Sequence, residues 1–483
     1  MALKPVCKIG IDGNRPIEAD GCLAPQMADP RIIAETGACF VRLNFVLGPW
    51  DSPRDSSHYC HHTWFEAFDA IVDGLLEQGV HIYGLIGIEA VAPPGPGDNF
   101  RAKNPNPKAE EWIRRYVNNF RAIVEHFHNR VWAFELINEP NDWYGGTCSL
   151  FHPYWMARIQ KEIYTAVKED FDVLIVSGPI LAHDLPTGRD TGADYLRGIY
   201  RYGIEELGWD EVKEQMGTYP LDGVAYHLYV GQVRDAPLDY TLNTVKSYIN
   251  EIWGVITTYE GEDTQKRLYI SEAGWPSDQG EDFQAANMQA VFRYFIQDDR
   301  VAGASWFCLR DFPGVSRGLY RPEGLGPAQR KRAYYEFQRI TRLAKQVATV
   351  EVPEGVPASV GRDAAGNIYQ PIIDCYIRNG GQEKLGLPFD NGGGVPVHRW
   401  GKGWVQDFQT PDGTLKSIIM LRDGSDTAYI LWGVIREHYI YKKGGAEGPL
   451  GYPVADQTTD EWGLPKGAFE NGVIICRPTA LLK

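Results

Sequence analysis

No stretch of the chain holds 18 consecutive apolar residues, which excludes a membrane-spanning helix of the usual kind. A cationic excess is missing too: 63 acidic against 48 basic side chains leave a net charge of −15. No counterion-release term therefore favours nucleic acid or another polyanion. Cys-x-x-Cys pairs are absent, and the eight cysteines are scattered, which argues against a zinc site or a redox motif. Cys39 and Cys308 fall in apolar, strand-like runs and read as buried free thiols. The even count permits disulfides without showing them. Met1-Ala-Leu-Lys-Pro5 lacks the apolar core of a secretory signal, so either the protein stays inside the cell or a signal has been removed. From about Thr349 onward the long helical periods of the earlier chain also disappear.

What is present points to two parts. At 483 residues the chain is too long for one ordinary core. A hydrophobic fraction of 43% and a charged fraction of 23% are those of a soluble globular protein. Fourteen Trp and 26 Tyr would suit sugar stacking, although core packing is the default for each one. Strand-like and helix-like runs alternate from Lys8 to Ala344. The strands are Lys8–Asp12, Cys39–Phe45, His81–Ile88, Trp132–Glu139, Asp172–Val176, Leu221–Tyr229, Arg267–Glu272 and Gly303–Leu309. Eight such alternations predict an α/β fold, a (β/α)8 TIM barrel over residues 1–348. An open doubly wound sheet would want a glycine-rich phosphate loop early on. Ile9-Gly-Ile-Asp-Gly-Asn14 lacks the third glycine and a helix after it.

Two of these strands end in glutamate. In Trp132-Ala-Phe-Glu-Leu-Ile-Asn-Glu-Pro-Asn141, strand alternation puts Glu135, Ile137 and Glu139 on one face, and Pro140 stops the ladder. Arg267-Leu-Tyr-Ile-Ser-Glu-Ala-Gly-Trp-Pro276 ends in Glu272. A carboxylate at a strand mouth is where a barrel keeps its chemistry, and two facing carboxyls are what a glycosidase needs. The pair resembles the clan A glycoside hydrolases, whose acid/base follows an Asn at the end of strand 4 and whose nucleophile ends strand 7. Ile137-Asn-Glu-Pro-Asn141 looks like families 5 and 39, and Ser271-Glu-Ala-Gly-Trp-Pro-Ser277 like family 17.

The resemblance implies roles residue by residue. Glu139 would be the acid/base and Glu272 the nucleophile, with Asn138 holding the sugar 2-hydroxyl. His227 and Tyr229, on one face of the sixth strand, would orient the nucleophile and line the site. Trp306 would be the stacking platform on strand 8. Arg42 shares a strand face with Phe40 and Asn44, and a buried Arg needs a carboxylate, so either Glu135 or Glu272 would be its partner. Mutual repulsion between the two glutamates would keep Glu139 protonated. Two carboxylates suffice for this chemistry, and no metal or organic cofactor is expected.

Val350-Glu-Val-Pro-Glu-Gly-Val-Pro357 is a Pro-spaced linker, taken as residues 349–357. Over 358–483 a motif occurs twice. Tyr376-Ile-Arg-Asn-Gly-Gly381 leads to Leu385-Gly-Leu-Pro388, Trp400-Gly401 and Phe408. Tyr439-Ile-Tyr-Lys-Lys-Gly-Gly445 leads to Leu450-Gly-Tyr-Pro453, Trp462-Gly463 and Phe469. The Leu-Gly-x-Pro cores resemble LGFP repeats of cell-wall-associated bacterial proteins, and a small, mainly β repeat domain is expected. Together these readings give a retaining β-glycoside hydrolase, expected to be an endo-glycanase, whose partner is a carbohydrate substrate. Contact with cell wall or glycan through the repeats is implied, hence an extracellular or wall-associated place. Its rivals are a transglycosylase of the same fold and a carbohydrate- or wall-binding protein without activity.

Overall fold

The computed structural model describes residues 4–104, 106–142, 151–183, 192–233, 236–349, 356–357, 359–364 and 368–476. Two compact units divide at Lys345 and Gln346. The first is built on parallel strands β1 (Ile9–Asp12), β2 (Phe40–Asn44), β3 (His81–Leu85), β4 (Val131–Glu135), β5 (Leu174–Val176), β6 (Ile180–His183), β7 (Gly223–Tyr229), β8 (Arg267–Ala273) and β9 (Val301–Trp306). They pair in the order β5-β4-β3-β2-β1-β9-β8-β7-β6, and β5 closes the ring through Val176 and Gly223 of β7. β5 and β6 are two pieces of one stave. Pro179 has no N–H to give a neighbour, so the ladder breaks at Ser177-Gly178-Pro179 and resumes at Ile180. The strand expected over Asp172–Val176 is thus interrupted after Val176 and does not end there. Eight staves with intervening helices make a closed (β/α)8 barrel.

Helices follow the strands: α1 (Pro25–Ala28), α2 (Arg31–Glu35), α3 (Trp64–Glu77), α4 (Pro107–Phe127), α5 (Pro153–Lys168), α6 (Ala193–Glu206), α7 (Trp209–Met216), α8 (Leu238–Glu260), α9 (Glu281–Gln297) and α10 (Arg332–Thr349). Sequence periodicity offered nothing for α6 and α7. Several starts are fixed locally: Thr63 and Glu66 form a reciprocal capping box on α3, and Pro107 opens α4 under an Asn106 cap.

The barrel interior is stoppered by rings. Phe40 meets Trp132 edge-on at 5.5 Å, and Tyr83 stacks on Tyr269 at 5.6 Å. This aromatic floor excludes water from beneath the polar residues at the strand ends, so their charges interact in a low dielectric. Cys39 is not a free thiol. It is bonded to Cys7, because β1 and β2 run side by side and bring their entries together; Cys22 and Cys60 form a second disulfide. Cys308 is a buried thiol.

The second unit contains α11 (Gln370–Arg378), α12 (Gly381–Leu385), β10 (Leu387–Pro388), β11 (His398–Arg399), β12 (Gly403–Gln409), β13 (Lys416–Arg422) and β14 (Tyr429–Trp432). After these come α13 (Gly433–Lys443), β15 (Thr458–Thr459), β16 (Pro465–Phe469) and β17 (Gly472–Ile475). The helices α11 and α13, nine and eleven residues long, are too short for a search for long helical periods. The sequence repeat is a structural one. Tyr376 gives its hydroxyl to Gly386 O at 2.7 Å, and Tyr439 gives its own to Gly451 O at 2.7 Å. Gly386 and Gly451 both take positive φ, +75° and +70°. Each tyrosine ring also lies against the phenylalanine of its own hairpin, Phe408 or Phe469.

Candidate active site

Arg42 organises the mouth of the barrel. Strand alternation along β2 turns Phe40, Arg42 and Asn44 to one side, Phe40 into the floor and Asn44 into the cavity above. The guanidinium donates to Glu135 Oε1 from Nε (2.8 Å) and Nη2 (2.6 Å). It also donates to Glu272 Oε1 (2.5 Å), Asp12 Oδ2 (3.1 Å) and Asn138 Oδ1 (2.7 Å). Sequence offered Glu135 or Glu272 as partner; the structure gives Arg42 both, and Asp12 besides. Burial opposes the charge on Arg42, and the three carboxylates overcome it, so the guanidinium stays charged. Tyr83 rises from the floor to donate to the other oxygen of Glu135 at 2.9 Å.

The strand carrying Glu139 does not run as its alternation suggests. β4 ends at Glu135, and Glu139 has a φ of +41°, in the left-handed region. The alternation that would turn Asn138 away from Glu135 is lost, and both reach Arg42. Asn141 pins the turn by bridging the Leu181 N–H (2.8 Å) and Leu181 O (3.0 Å) of β6. Gly178 leaves room for Ile137 O, where a Cβ would collide. A non-glycine residue held at positive φ by such contacts marks a place where position is maintained against strain.

His227 lies between the two glutamates. Its Nδ1 is 2.7 Å from Glu139 Oε1 and 3.6 Å from Glu272 Oε2. One oxygen of each glutamate and a ring nitrogen of His227 all lie within 4.8 Å of one another. Tyr229 donates its hydroxyl to Glu272 Oε2. Burial drives the His227 pKa down to about 4, with Glu272 opposing, so the imidazole is neutral near pH 7. Glu139 is pushed up to about 7, first by burial and then by Asp142. Loss of solvent, not repulsion from Glu272, is the leading cause. Glu272 is also raised by burial, against the pull of His227 and Arg42. Direct donation from Arg42 and Tyr229 stabilises its ionised form. Burial therefore favours the protonated form of Glu139, while Arg42 and Tyr229 favour the ionised form of Glu272.

A cavity of about 500 Å3 opens above Glu272 and Asn138, walled by Asp12, Asn14, Asn44, Glu89, Phe307 and Phe312 among others. Trp306 is not part of it. Its side chain is fully buried and packs on Trp275 and on Phe292 of α9, and its indole N–H is given to Arg317 O at 2.9 Å. Strand alternation turns Trp306 outward to the helices and the next residue inward, so Phe307 is the aromatic at the mouth. Phe307 sits 6.0 Å from the Tyr229 ring and 6.2 Å from Phe312. Asp12, Asn44 and Phe307 were missed as site residues. Asn44 shares the face of Arg42, and Asp12 ends the first strand, so strand position could have flagged both.

No family model matches this chain, and no curated protein matches it. Solved structures do. A family 39 glycoside hydrolase from the gut symbiont Bacteroides cellulosilyticus WH2 has a TM-score of 0.47 at 16% identity, over 87% of this chain and 72% of that one. GH5_18 from Streptomyces cattleya, in complex with GlcNAc, has a TM-score of 0.49 at 14% identity, over 73% and 82%. An exo-β-1,4-mannosidase from an Opitutaceae bacterium has a TM-score of 0.47 at 16% identity, over 71% and 60%.

Proposed function

We propose that the protein is a retaining β-glycoside hydrolase acting on a β-linked polysaccharide or oligosaccharide, as an endo-glycanase, with Glu272 as nucleophile and Glu139 as acid/base. The observation that carries this reading is the approach of the two glutamates to within 4.8 Å around His227. Retention needs carboxyls about 5–5.5 Å apart, whereas inversion needs room for a water between them. Glu272, held ionised by Arg42 and Tyr229, attacks the anomeric carbon as the bond to the leaving oxygen breaks. Glu139 gives that oxygen its proton. With Glu272 esterified, Glu139 takes a proton from water, which displaces the ester and frees the sugar.

Each neighbour has a part in this scheme. Asn138 has its Oδ1 tied to Arg42, so its amide N–H groups are the ones left for a sugar hydroxyl. His227, neutral, can donate from Nδ1 to Glu139 Oε1 and hold the carboxyl in place. Phe307 offers a ring for a sugar's apolar face. The cavity beside Glu272 and Asn138, lined by residues of β1 to β3, supports a glycone lying on that side. The second unit contributes binding to wall or glycan, a role that rests on the LGFP resemblance of its repeats.

Glu272→Ala tests the core of the proposal. It should abolish turnover with the fold kept, and azide should restore it with a glycosyl azide of inverted anomeric configuration. A variant that stays active without azide would remove Glu272 from the role.

A further inference from the structure

The cleft does not stop at the catalytic cavity. Arg15, Glu18 and Glu89 line that cavity, and the same three residues line a second one of about 410 Å3. Both are walled by the loops that follow β1, β2 and β3. Past the three charged residues the wall of the second is aliphatic: Ile17, Leu47 and Val91 are buried, with Val46, Ala92 and Pro93 beside them.

The passage between the two cavities is built to accept hydrogen bonds. Glu89 is folded back over Gly87, where a Cβ would meet Glu89 Oε2 at 2.4 Å, and Asn44 Oδ1 lies 3.8 Å from the same point. Asn44 Oδ1 is buried and has no hydrogen-bond partner among the described residues. A buried acceptor left without a donor is costly, so it marks a place where a donor is wanted. A carboxylate and an amide oxygen side by side call for hydroxyl groups, which a sugar carries around its ring. The aliphatic wall beyond them suits the ring's C–H face.

The walls are fixed before any ligand arrives. After β1 the chain makes a small hairpin, with Ile17 paired to Leu23 and Glu18 N–H donating to Cys22 O at 2.7 Å. After β2 it makes another, Tyr59 against His62, turning through positive φ at Cys60 (+48°) and His61 (+72°). The Cys22–Cys60 disulfide ties the two together, and Gly21 sits so close to Tyr59 that a Cβ would meet its side chain at 2.7 Å. Buried Trp50 supports the second hairpin, edge-on to Tyr59 at 5.3 Å and donating its indole N–H to Ser57 O at 2.8 Å. Leu47 N–H donates to Glu89 O at 3.0 Å, which joins the loop after β3 to the same frame. A pocket held this way spends little binding energy on ordering its own loops.

We propose that the second cavity is a further glycone subsite, which binds the sugar next to the one attacked by Glu272, with Glu18 and Glu89 taking its hydroxyl donors. This rests on the glycosidase reading of Glu139 and Glu272. It adds that the preferred substrate carries at least two glycone sugars, the second lying between the two hairpins joined by Cys22–Cys60.

Nitrophenol release by the full chain is measured on 4-nitrophenyl β-glycosides of glucose, mannose, galactose and xylose, and on the matching β-1,3- and β-1,4-linked biosides. On the sugar accepted, kcat/KM should be about tenfold or more higher for a bioside than for the monoside. Ala19 is exposed and lines the second cavity but not the first, so Ala19→Trp should fill it and abolish that preference. Cys22→Ser with Cys60→Ser should raise KM for the bioside more than for the monoside. Early products from the soluble polysaccharide of the same linkage should be bioses and longer chains. A parent that cleaves monosides and gains nothing from a second sugar overturns this subsite and leaves the glycosidase reading standing. So does a preference that survives Ala19→Trp at an unchanged unfolding temperature, or monosaccharide released from the outset. A parent inactive on every glycoside removes the glycosidase reading and the subsite with it.

Discussion

Replacing Glu139 by Gln isolates the proton it is proposed to carry. Gln keeps the shape and can still accept from His227 Nδ1, so the turn at positive φ should hold. What is lost is the acid. General-acid help is worth about 10²- to 10⁴-fold where the leaving group is a sugar alkoxide, and little where it is a dinitrophenolate. The expected kcat/KM losses are of that size on an oligosaccharide, and within about tenfold on the activated aryl glycoside. The pH dependence gives a second handle. Only protonated Glu139 is competent as acid, so kcat/KM on a poor leaving group should fall as pH rises through about 7, and this limb should vanish in the variant. Stability should move with it. A carboxyl raised from 4.5 to about 7 binds its proton more tightly folded than unfolded. Stability is then fully present below the unfolded value and is lost as pH rises to the folded one, by about 3 kcal/mol. Unfolding temperature against pH should show that loss in the parent and not in Glu139→Gln. Equal losses on both substrates, or an alkaline limb that persists in the variant, would falsify the acid assignment.

Tyr229→Phe removes the hydroxyl that donates to Glu272 and should lower kcat by about 10²-fold, with far-UV circular dichroism unchanged. Phe307→Ala should raise KM for a soluble oligosaccharide, whereas Trp306→Ala should cost about 3–5 kcal/mol of stability through a core cavity. Steady-state kinetics beside thermal melts distinguish the two, and the opposite pattern would return the stacking role to Trp306. A chain ending after Thr349 should hydrolyse small soluble aryl glycosides with unchanged kcat/KM and bind insoluble polysaccharide less. Reduced activity on the soluble substrate would make the second unit part of the cleft.

The barrel was legible because each stave is a short apolar run and all but the fifth have a helical period behind them, and the glutamates because each is followed by Pro or Gly within a few residues. The broken stave was not. Pro179 reads as an ending, and only the pairing of Ile180–His183 with β7 shows that the strand resumes. Alternation located Arg42 correctly along a regular strand and failed past Glu135, where the ladder has ended and Glu139 turns through positive φ. The same local rule decides Trp306 against Phe307. Neighbours on a strand face opposite sides, and the choice depends on a register that composition does not carry. The source of the Glu139 shift was also hidden, because burial is a property of the closed mouth and repulsion is visible in any pair of acids. Arg42 with three carboxylate partners could not be counted from sequence, since Asp12, Glu135 and Glu272 come from three separate strands.

That count has a consequence for the chemistry. A single guanidinium touches Asp12, Glu135 and Glu272, and Glu139 adds a fourth carboxyl beside them. Burial raises Asp12, Glu139 and Glu272 alike, because loss of solvent disfavours the charged form of a carboxyl. Burial keeps His227 neutral beside them. A charged His227 beside Glu139 would draw the carboxyl's pKa back down and strip the acid of its proton near neutral pH. A neutral one leaves Glu139 loaded. On the proposed mechanism, the ionised Glu272 would stabilise an oxocarbenium-like transition state more than the neutral sugar that precedes it. Differential stabilisation of this kind raises kcat, whereas tighter holding of the substrate would only lower KM.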